Sequence, residues 1–265
     1  MGVSESITTP SDKAVAVTQA LGIDILPGFA SLLHARGLRR VETEHGATWS
    51  RVMMLGAFTE ALPLAMPKLG VMMLTGWGSI EERIAYRDSS HYRALADHSR
   101  IGSLDLGAGV ARSQHRDLFL EDDGWLKRLP AGKAPRGLVG VLTYARITPR
   151  GVWPFQRISR EVTISARKAD GFIGSVFATE FLAPVLRVMT LTLWDQRANA
   201  SEWAYNGSVH PKAISWLFDS PQLMPGGCVA RFPIVAGSGM LNGVDLATTV
   251  QSAHERMKER NAQPR

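Results

Sequence analysis

The stretch VMMLTGW, residues 71–77, recurs later in the chain as VMTLTLW, residues 188–194. Five of the seven positions are identical at an offset of 117 residues. The likeness resumes at an offset of 119, where Tyr86, Ser89, His91, Arg93, Ala94 and Leu95 match Tyr205, Ser208, His210, Lys212, Ala213 and Ile214. Such self-similarity is typical of a chain built from repeated modules.

Each copy predicts a strand followed by a helix. The seven-residue runs are rich in apolar and β-branched residues, and apolar residues then return three or four positions apart, as at Ile80 and Ile84. Around the second copy the sequence predicts a strand at 138–147, a helix at 154–169, a strand at 172–181 and a last strand at 228–236. The order is β-α-β-β-α-β, as in a ferredoxin-like module.

The first copy predicts the same order. Its elements are a strand at 14–20, a helix within 24–51, strands at 53–58 and 70–77, a helix, and a strand at 102–112. The predicted organisation is a first module with an N-terminal extension (1–113), a connector (114–137), a second module (138–250) and a basic tail (251–265). A four-stranded sheet with helices on one face leaves the other face apolar, and the second sheet is its natural cover.

The composition is that of a folded protein. Of the 265 residues, 45% are hydrophobic and 20% are charged. The formal net charge of +6 allows nucleic acid, an anionic membrane or an anionic ligand as a partner. Because the basic residues are scattered and no basic run alternates with aromatic residues, the pattern favours a solvated basic surface and argues against nucleic acid.

Two features favour a cytoplasmic protein. Cys228 is the single cysteine, so an intrachain disulfide and a cysteine-rich zinc site are excluded. The first residues, MGVSESITTPSD, lack the basic start and the apolar run of a signal peptide. The most apolar region, 52–77, is interrupted by Glu60, Lys68 and two prolines, so it predicts no membrane-spanning helix.

His210 is the strongest single candidate for chemistry. Pro211 disfavours helical geometry for the histidine before it and suits the first position of a helix. The positive end of that helix favours the neutral imidazole, which is the form that binds iron or zinc or acts as a base. His91 matches it in the first copy, so a purely structural cap is the competing interpretation.

Other candidate residues surround His210 or lie in the strands beside it. Trp194, Trp203 and Tyr205 are the aromatic walls that a haem or quinone pocket needs, and an ordinary core needs them equally. Arg146 and Arg187 are candidates to pair with a ligand carboxylate, or they are solvated arginines at strand ends. The common phosphate-binding, dinucleotide-binding, zinc-protease and nucleophile-elbow motifs are absent from the sequence.

These residues resemble a known family. The segments TLTLWD (190–195), WAY (203–205) and HPKAI (210–214) look like the strand-and-helix signature of the dimeric α+β barrel superfamily, which includes antibiotic-biosynthesis-type monooxygenases. The resemblance is strongest to the spheroidene monooxygenase branch, which oxidises carotenoids, and includes YARI (144–147) and GVWPF (151–155). It covers roughly residues 50–110 and 138–235, whereas 1–50 and 114–137 match nothing in the family.

The resemblance implies an α+β fold in which two tandem ferredoxin-like βαββαβ modules form the barrel within one chain. It also implies a haem-containing oxygenase. Related haem enzymes, such as aldoxime dehydratases and chlorite dismutases, hold iron through a histidine of the C-terminal module, and only His210 matches that placement. The expected cofactor-binding set is therefore His210, as the metal ligand, with Trp194, Trp203, Tyr205, Arg187 and Arg146.

Three functions remain open at this point. The first is a haem-dependent monooxygenase that acts on a small apolar molecule such as a carotenoid. The second is haem-dependent dehydration of an aldoxime or other nitrogen–oxygen chemistry. The third is a cofactor-free oxygenase with a histidine as base, or a ligand-binding protein of the same fold. Exposed sheet edges and the basic tail also leave a homodimer or a larger assembly open.

Overall fold

In the computed structural model, eight strands close into an antiparallel barrel with helices on its outer face. The structure describes residues 20–28, 42–57, 66–98, 102–112, 137–180 and 186–262. The first half contains β1 (Ala20–Pro27), β2 (Trp49–Ala57), β3 (Met66–Trp77), α1 (Ile80–Arg87), α2 (Ser90–His98), β4 (Gly102–Leu106) and β5 (Val110–Arg112). The second half contains β6 (Val139–Ile147), α3 (Val152–Arg167), β7 (Phe172–Glu180), β8 (Leu186–Trp194), α4 (Arg197–Tyr205), α5 (His210–Asp219), β9 (Gly226–Ser238), β10 (Met240–Leu241), β11 (Val244–Asp245) and α6 (Leu246–Ala262).

The strands follow the order β4-β1-β3-β2-β7-β8-β6-β9, and β9 pairs back onto β4 to close the ring. Within each half, the first strand lies between the third and the fourth. The two halves meet at two antiparallel seams: Leu55 of β2 faces Ala178 of β7, and Leu104 of β4 faces Gly237 of β9. The short β5 adds to β9 outside the ring.

The barrel interior is a continuous apolar core. Alternate residues of a strand point to opposite faces, so every second residue of the barrel strands faces inward. Three residues of α6 join this core, which places that helix against the barrel rather than in free solvent. The core includes Leu21, Ile23, Met53, Met72, Leu74, Leu142, Tyr144, Met189, Leu191, Phe232 and, from α6, Leu246, Val250 and Ala253.

The outer face of the barrel carries the remaining helices. α1 contacts β1, β3 and β4 in the first half, while α3 contacts β7 and α4 contacts β8 in the second half. α5 packs on both α3 and α4. Within the part of the chain described, no helix has the length and apolarity to cross a bilayer.

The structure confirms the α+β class and the barrel, and the predicted second-half elements agree with β6, α3, β7, β8 and β9 to within a few residues. The predicted strand at 14–20 is wrong in position, because β1 occupies Ala20–Pro27; residues 14–19 lie outside the described part. The predicted helix within 24–51 overlaps β1 and β2, and only residues 42–44 are helical among those described there. The connector at 114–137 lies outside the described residues except for Gly137.

Asp24 explains why β1 was not predicted. A carboxylate in the middle of a strand interrupts the apolar pattern, and burial of an unpaired charge is costly. Asp24 is nevertheless buried in β1, because the guanidinium of Arg83 on α1 lies against it. Arg83, whose positive charge stabilises Asp24 in this strand, lies 59 residues later in the chain.

Candidate functional site

A cavity of about 180 Å³ lies in the second half, between the outer face of the sheet and helices α3, α4 and α5. A single water molecule needs about 10–15 Å³ of such space, so the cavity has room for a small organic molecule. Its walls are mainly apolar: Ala145 and Val188 from the sheet, Phe155, Ile158 and Val162 from α3, and Trp216 from α5. Such an apolar cleft with a few polar groups is the usual form of a small-molecule site.

His210 lines this cavity at the first residue of α5. Its Nδ1 lies 3.0 Å from the carbonyl oxygen of Ala204, the penultimate residue of α4. Because a carbonyl only accepts hydrogen bonds, Nδ1 carries the proton and Nε2 keeps its lone pair. Among the described residues nothing is bonded to Nε2. The ring is therefore oriented, with one nitrogen left for a ligand.

The environment of His210 keeps its imidazole neutral. Burial lowers the pKa of His210 below its ordinary value, because the charged form loses solvation, and the bond to Ala204 only partly opposes this effect. The ring also packs on the indole of Trp203, with 4.2 Å between ring centroids. A neutral, oriented imidazole is the form that can bind a metal or accept a proton.

Two tryptophans form one wall of the cavity. The rings of Trp194 and Trp203 lie 5.2 Å apart, and Trp194 is fully buried. The Nε1 of Trp194 donates to Thr192 Oγ1 at 2.9 Å, and the Nε1 of Trp203 donates to Ser165 Oγ at 3.0 Å. Because both indole N–H groups are satisfied, the rings present apolar surface to the cavity.

Tyr205 and Arg231 lie at the exposed edge of the cavity. The Tyr205 ring is 42% exposed, and its hydroxyl accepts from Arg231 Nη2 at 3.2 Å. Arg231 is the one arginine or lysine among the described lining residues. It can therefore pair with an acidic group of a ligand that extends from the cavity towards solvent.

The corresponding space in the first half is filled by a buried ion network. Arg83 Nε donates to Asp105 Oδ1 at 2.9 Å, and Arg83 Nη2 donates to Asp24 Oδ1 at 2.7 Å and to Ser103 Oγ at 3.0 Å. Tyr92 adds a 2.7 Å hydrogen bond to the same oxygen of Asp24. Burial alone would raise the pKa of Asp24, but Arg83 holds it below its ordinary value. The network leaves this half without an equivalent cavity among its described residues.

The strands around the ion network and around the cavity pair in the same register, so corresponding residues of the two halves can be identified. Thr75 lies opposite Gly22, which lies opposite Asp105; Thr192 lies opposite Val141, which lies opposite Arg231. In the same register, the pair Asp24 and Ser103 corresponds to the pair Thr143 and Val229. In both halves a tryptophan, Trp77 or Trp194, donates at 2.9 Å to the threonine two residues before it. The ion-network residues Asp24, Ser103, Asp105 and Arg83 thus correspond, in that order, to Thr143, Val229, Arg231 and Ala200. All four of these second-half residues line the cavity.

Gly22 shows how closely the first half is packed. A Cβ atom on Gly22 would lie 2.5 Å from Arg83 Nε, so only glycine lets the guanidinium lie over the sheet. The matching residue Val141 carries a side chain without conflict, because Ala200 stands where Arg83 would be. His91 also differs from its sequence match: it is exposed on α2, 6.2 Å between ring centroids from His45.

The structure brings together four of the six residues expected to bind a cofactor. His210, Trp194, Trp203 and Tyr205 line the cavity. Arg146 and Arg187 do not, since they lie two residues from Tyr144 and Met189 and therefore face the barrel interior on the other side of the sheet. Cys228 also belongs to the interior core.

Several lining residues were missed by sequence reasoning. Thr143, Ala200 and Arg231 carry no motif of their own. The sequence does hold one usable signal: at the offset of 117 that aligns the tryptophans, buried Arg83 is replaced by Ala200. Within the described part of the chain, no three histidine, cysteine, aspartate or glutamate residues are grouped as a metal site.

The barrel is similar to that of two solved aldoxime dehydratases. One, crystallised with butyraldoxime, is 8% identical over 87% of this chain and 86% of that chain, with a TM-score of 0.52. The other is 11% identical over 82% of each chain, with a TM-score of 0.50. An anthrone oxidase-like protein is 10% identical over 88% of this chain and 98% of that chain, with a TM-score of 0.33.

The likeness to the two aldoxime dehydratases shows the fold and nothing finer. Those neighbours are of the dimeric α+β barrel type, and this chain shares their fold: a closed antiparallel barrel of eight strands. No protein-family model matches the chain, and no curated protein matches it. Function therefore has to be argued from the cavity itself.

Proposed function

We propose that the cavity of the second half binds haem and that His210 Nε2 is the iron ligand. The observation that supports this most is the hydrogen bond from His210 Nδ1 to the carbonyl of Ala204. Metal-binding histidines characteristically donate their other ring N–H to a carbonyl or carboxylate, which fixes the tautomer and orients the ring. The bond also makes the histidine a better donor to iron.

The other lining residues fit the same group. The macrocycle of haem is flat and apolar, and the rings of Trp194 and Trp203 with the α3 side chains offer an apolar surface. Its carboxylates need cations near solvent, where Arg231 lies. A haem requires one protein ligand to iron, so the lack of a grouped metal site among the described residues does not conflict with it.

The proposed reaction is oxidation of a small apolar molecule, for example hydroxylation of a carotenoid. When bound, haem supplies the activation of oxygen or the binding of a substrate nitrogen. The chain's own residues orient the ligand through His210, exclude water with the tryptophan wall and keep the substrate in an apolar space. Haem-dependent dehydration of an aldoxime is the alternative reaction in the same site.

We further propose that the two halves are repeats of one ferredoxin-like module. Their common strand order, the shared register and the repeated tryptophan–threonine hydrogen bond support this origin. On this proposal the first module became a structural half when Arg83 filled its cavity. A cytoplasmic location is an expectation from the sequence, which leaves a homo-oligomer open.

A cofactor-free enzyme is the second candidate. The neutral imidazole of His210 in an apolar cavity is also suited to act as a general base on an electron-rich substrate. In that case the cavity would hold the substrate directly, and Nε2 would accept its proton. A haem-binding measurement separates the two candidates.

The test is a titration of the purified protein with haem, followed by visible absorption. Wild-type protein is expected to develop an intense Soret band that saturates at one haem per chain. His210→Ala is expected to show a shifted, weaker band and at least tenfold lower affinity, because the axial bond is lost. His91→Ala is the matched control, since it removes an exposed histidine of the other half. A wild-type protein without a Soret band, or a His210→Ala spectrum equal to that of wild type, would refute the proposal.

A further inference from the structure

One end of the barrel interior holds a cluster of three arginines and one glutamate. Each of the four lies two residues from a member of the interior core on its own strand and therefore faces the same interior. The members are Arg51 of β2, Arg146 of β6, Glu180 of β7 and Arg187 of β8. We call them the arginine cluster.

Glu180 is the acidic member of the cluster and pairs with two of its arginines. Its Oε2 accepts from Arg51 Nη1 and from Arg187 Nη1, both at 3.2 Å. The side chains are mostly removed from solvent, with 14% of Arg51, 24% of Glu180 and 11% of Arg187 exposed. One carboxylate is thus shared by two guanidinium groups, and the cluster has a formal charge of +2.

Arg146 is the member for which the described residues supply no hydrogen-bond or ion-pair partner. It lies directly opposite Arg187 on the neighbouring strand, where like charges destabilise a sheet. Its neighbour on the other side is Gly226 of β9, which has no side chain to offer. Its Nε is buried and meets no hydrogen-bond acceptor in the described part of the chain. A buried, unsatisfied donor beside a like charge is costly and calls for an explanation.

We propose that the arginine cluster binds a small oxyanion, either a carboxylate or a phosphate group of a ligand. Guanidinium groups match the oxygens of both groups with two parallel hydrogen bonds. An oxyanion between Arg146 and Arg187 would accept from the unsatisfied Nε and remove the repulsion between the two arginines. The site lies on the opposite face of β6 and β8 from the His210 cavity, so it is independent of the haem proposal.

Thermal unfolding in different anions tests this site. The melting temperature is measured at pH 7 and constant ionic strength in chloride, in low-millimolar inorganic phosphate and in low-millimolar citrate. Phosphate or citrate is expected to raise the melting temperature of the wild type by about 2–4 °C over chloride. The anion that acts at the lower concentration identifies the recognised group.

Variants separate binding at the cluster from the general stabilising effect of such salts. Arg146→Gln is expected to lose the anion-dependent rise and, in chloride, to melt no lower than wild type, because one of two opposed charges is gone. Arg157→Gln is the control: this arginine is 79% exposed on α3 and pairs with Glu161 at 3.8 Å, and the variant is expected to keep the rise.

Three results would overturn the proposal. One is a wild type that melts at the same temperature in all three anions. A second is an Arg146→Gln variant that keeps the full rise. The third is an Arg146→Gln variant that melts well below wild type in chloride, which would make Arg146 a structural residue. If Arg146→Gln fails to fold, Arg146→Lys replaces it. Lysine keeps the positive charge but cannot form two parallel hydrogen bonds, so at least half of the anion-dependent rise in melting temperature should disappear. An undiminished rise would contradict the site.

Discussion

Arg83 and Ala200 occupy matching places in the two halves of the barrel and have opposite consequences. Each lies six residues after the tryptophan of its half, on the helix that covers the outer sheet. Arg83 is fully buried and fills the space between helix and sheet, whereas Ala200 leaves that space open. This difference in side-chain volume explains why the cavity lies in the second half.

Enlarging Ala200 should therefore close the cavity. Ala200→Leu is expected to lower haem affinity at least tenfold at a stability cost of about 1–3 kcal/mol, because the added atoms intrude into the ligand space. The exposed Ala198 on the same helix provides the control, and Ala198→Leu should bind haem as the wild type does. Haem titration and urea unfolding measure the two effects. Equal affinities for the two variants would show that the ligand lies elsewhere.

Arg83 should matter for stability and not for the ligand. Arg83→Met leaves Asp24 buried without its countercharge and leaves Asp105 with Arg87 as its partner, and the free energy of unfolding should fall by about 3–5 kcal/mol. Arg157→Met, at an exposed pair, should cost less than about 0.5 kcal/mol. Denaturant unfolding compares the two variants. If the folded Arg83→Met protein lost haem binding, the separation of roles between the halves would be wrong.

Glu42 should make stability decrease with rising pH. Burial, together with the charge of Asp24, raises the pKa of Glu42 from about 4.5 to about 8, while Ser50 donates to its Oε2 at 2.7 Å. The folded protein thus holds a proton that the unfolded chain releases, so the stabilising contribution is complete below about pH 4.5 and is lost as the pH rises through about 8.

Glu42→Gln tests this pH dependence, because glutamine keeps an acceptor for Ser50 and has no proton to lose. The variant should be more stable than wild type by a few kcal/mol at pH 8, and the difference should vanish near pH 4. Unfolding in denaturant across this pH range gives the measurement. Glu44→Gln, at an exposed neighbouring glutamate, is the matched control. A difference for Glu42→Gln that stays constant with pH would contradict the buried, protonated glutamate.

The pH dependence of haem binding should follow His210. A proton competes with iron for Nε2, and burial lowers the pKa of His210 below its ordinary value of 6.5. Affinity should therefore fall with a midpoint below pH 6.5, reversibly on return to pH 7. Haem titrations across this range provide the check. A midpoint at or above pH 6.5 would show that the ligand histidine is not buried as described.

The second half could be predicted from the sequence because its signals are local. The helical periodicity of α3 and the apolar runs of β6 and β8 define their own elements. β1 could not be predicted in the same way, since Asp24 is acceptable in a strand only through Arg83, far along the chain.

The residues of the candidate site also include some that the local sequence predicts and some that it does not. His210, Trp194, Trp203 and Tyr205 are close in sequence, and the strand and helices that carry them place them around one cavity. Arg146 and Arg187 adjoin the lining residues Ala145 and Val188 in sequence but point to the opposite face. Long-range packing decides which face of a sheet the helices cover, so the local sequence does not predict that face.

The most direct test of the proposed function is chemical rescue of the iron ligand. In His210→Gly the axial bond is removed and a space of imidazole size is left beside Trp203. Haem added to this variant should give a Soret band different from that of wild type, and added imidazole should restore the wild-type position and intensity. His91→Gly should need no imidazole. If His210→Gly already has the wild-type spectrum, or if imidazole does not restore it, His210 is not the iron ligand.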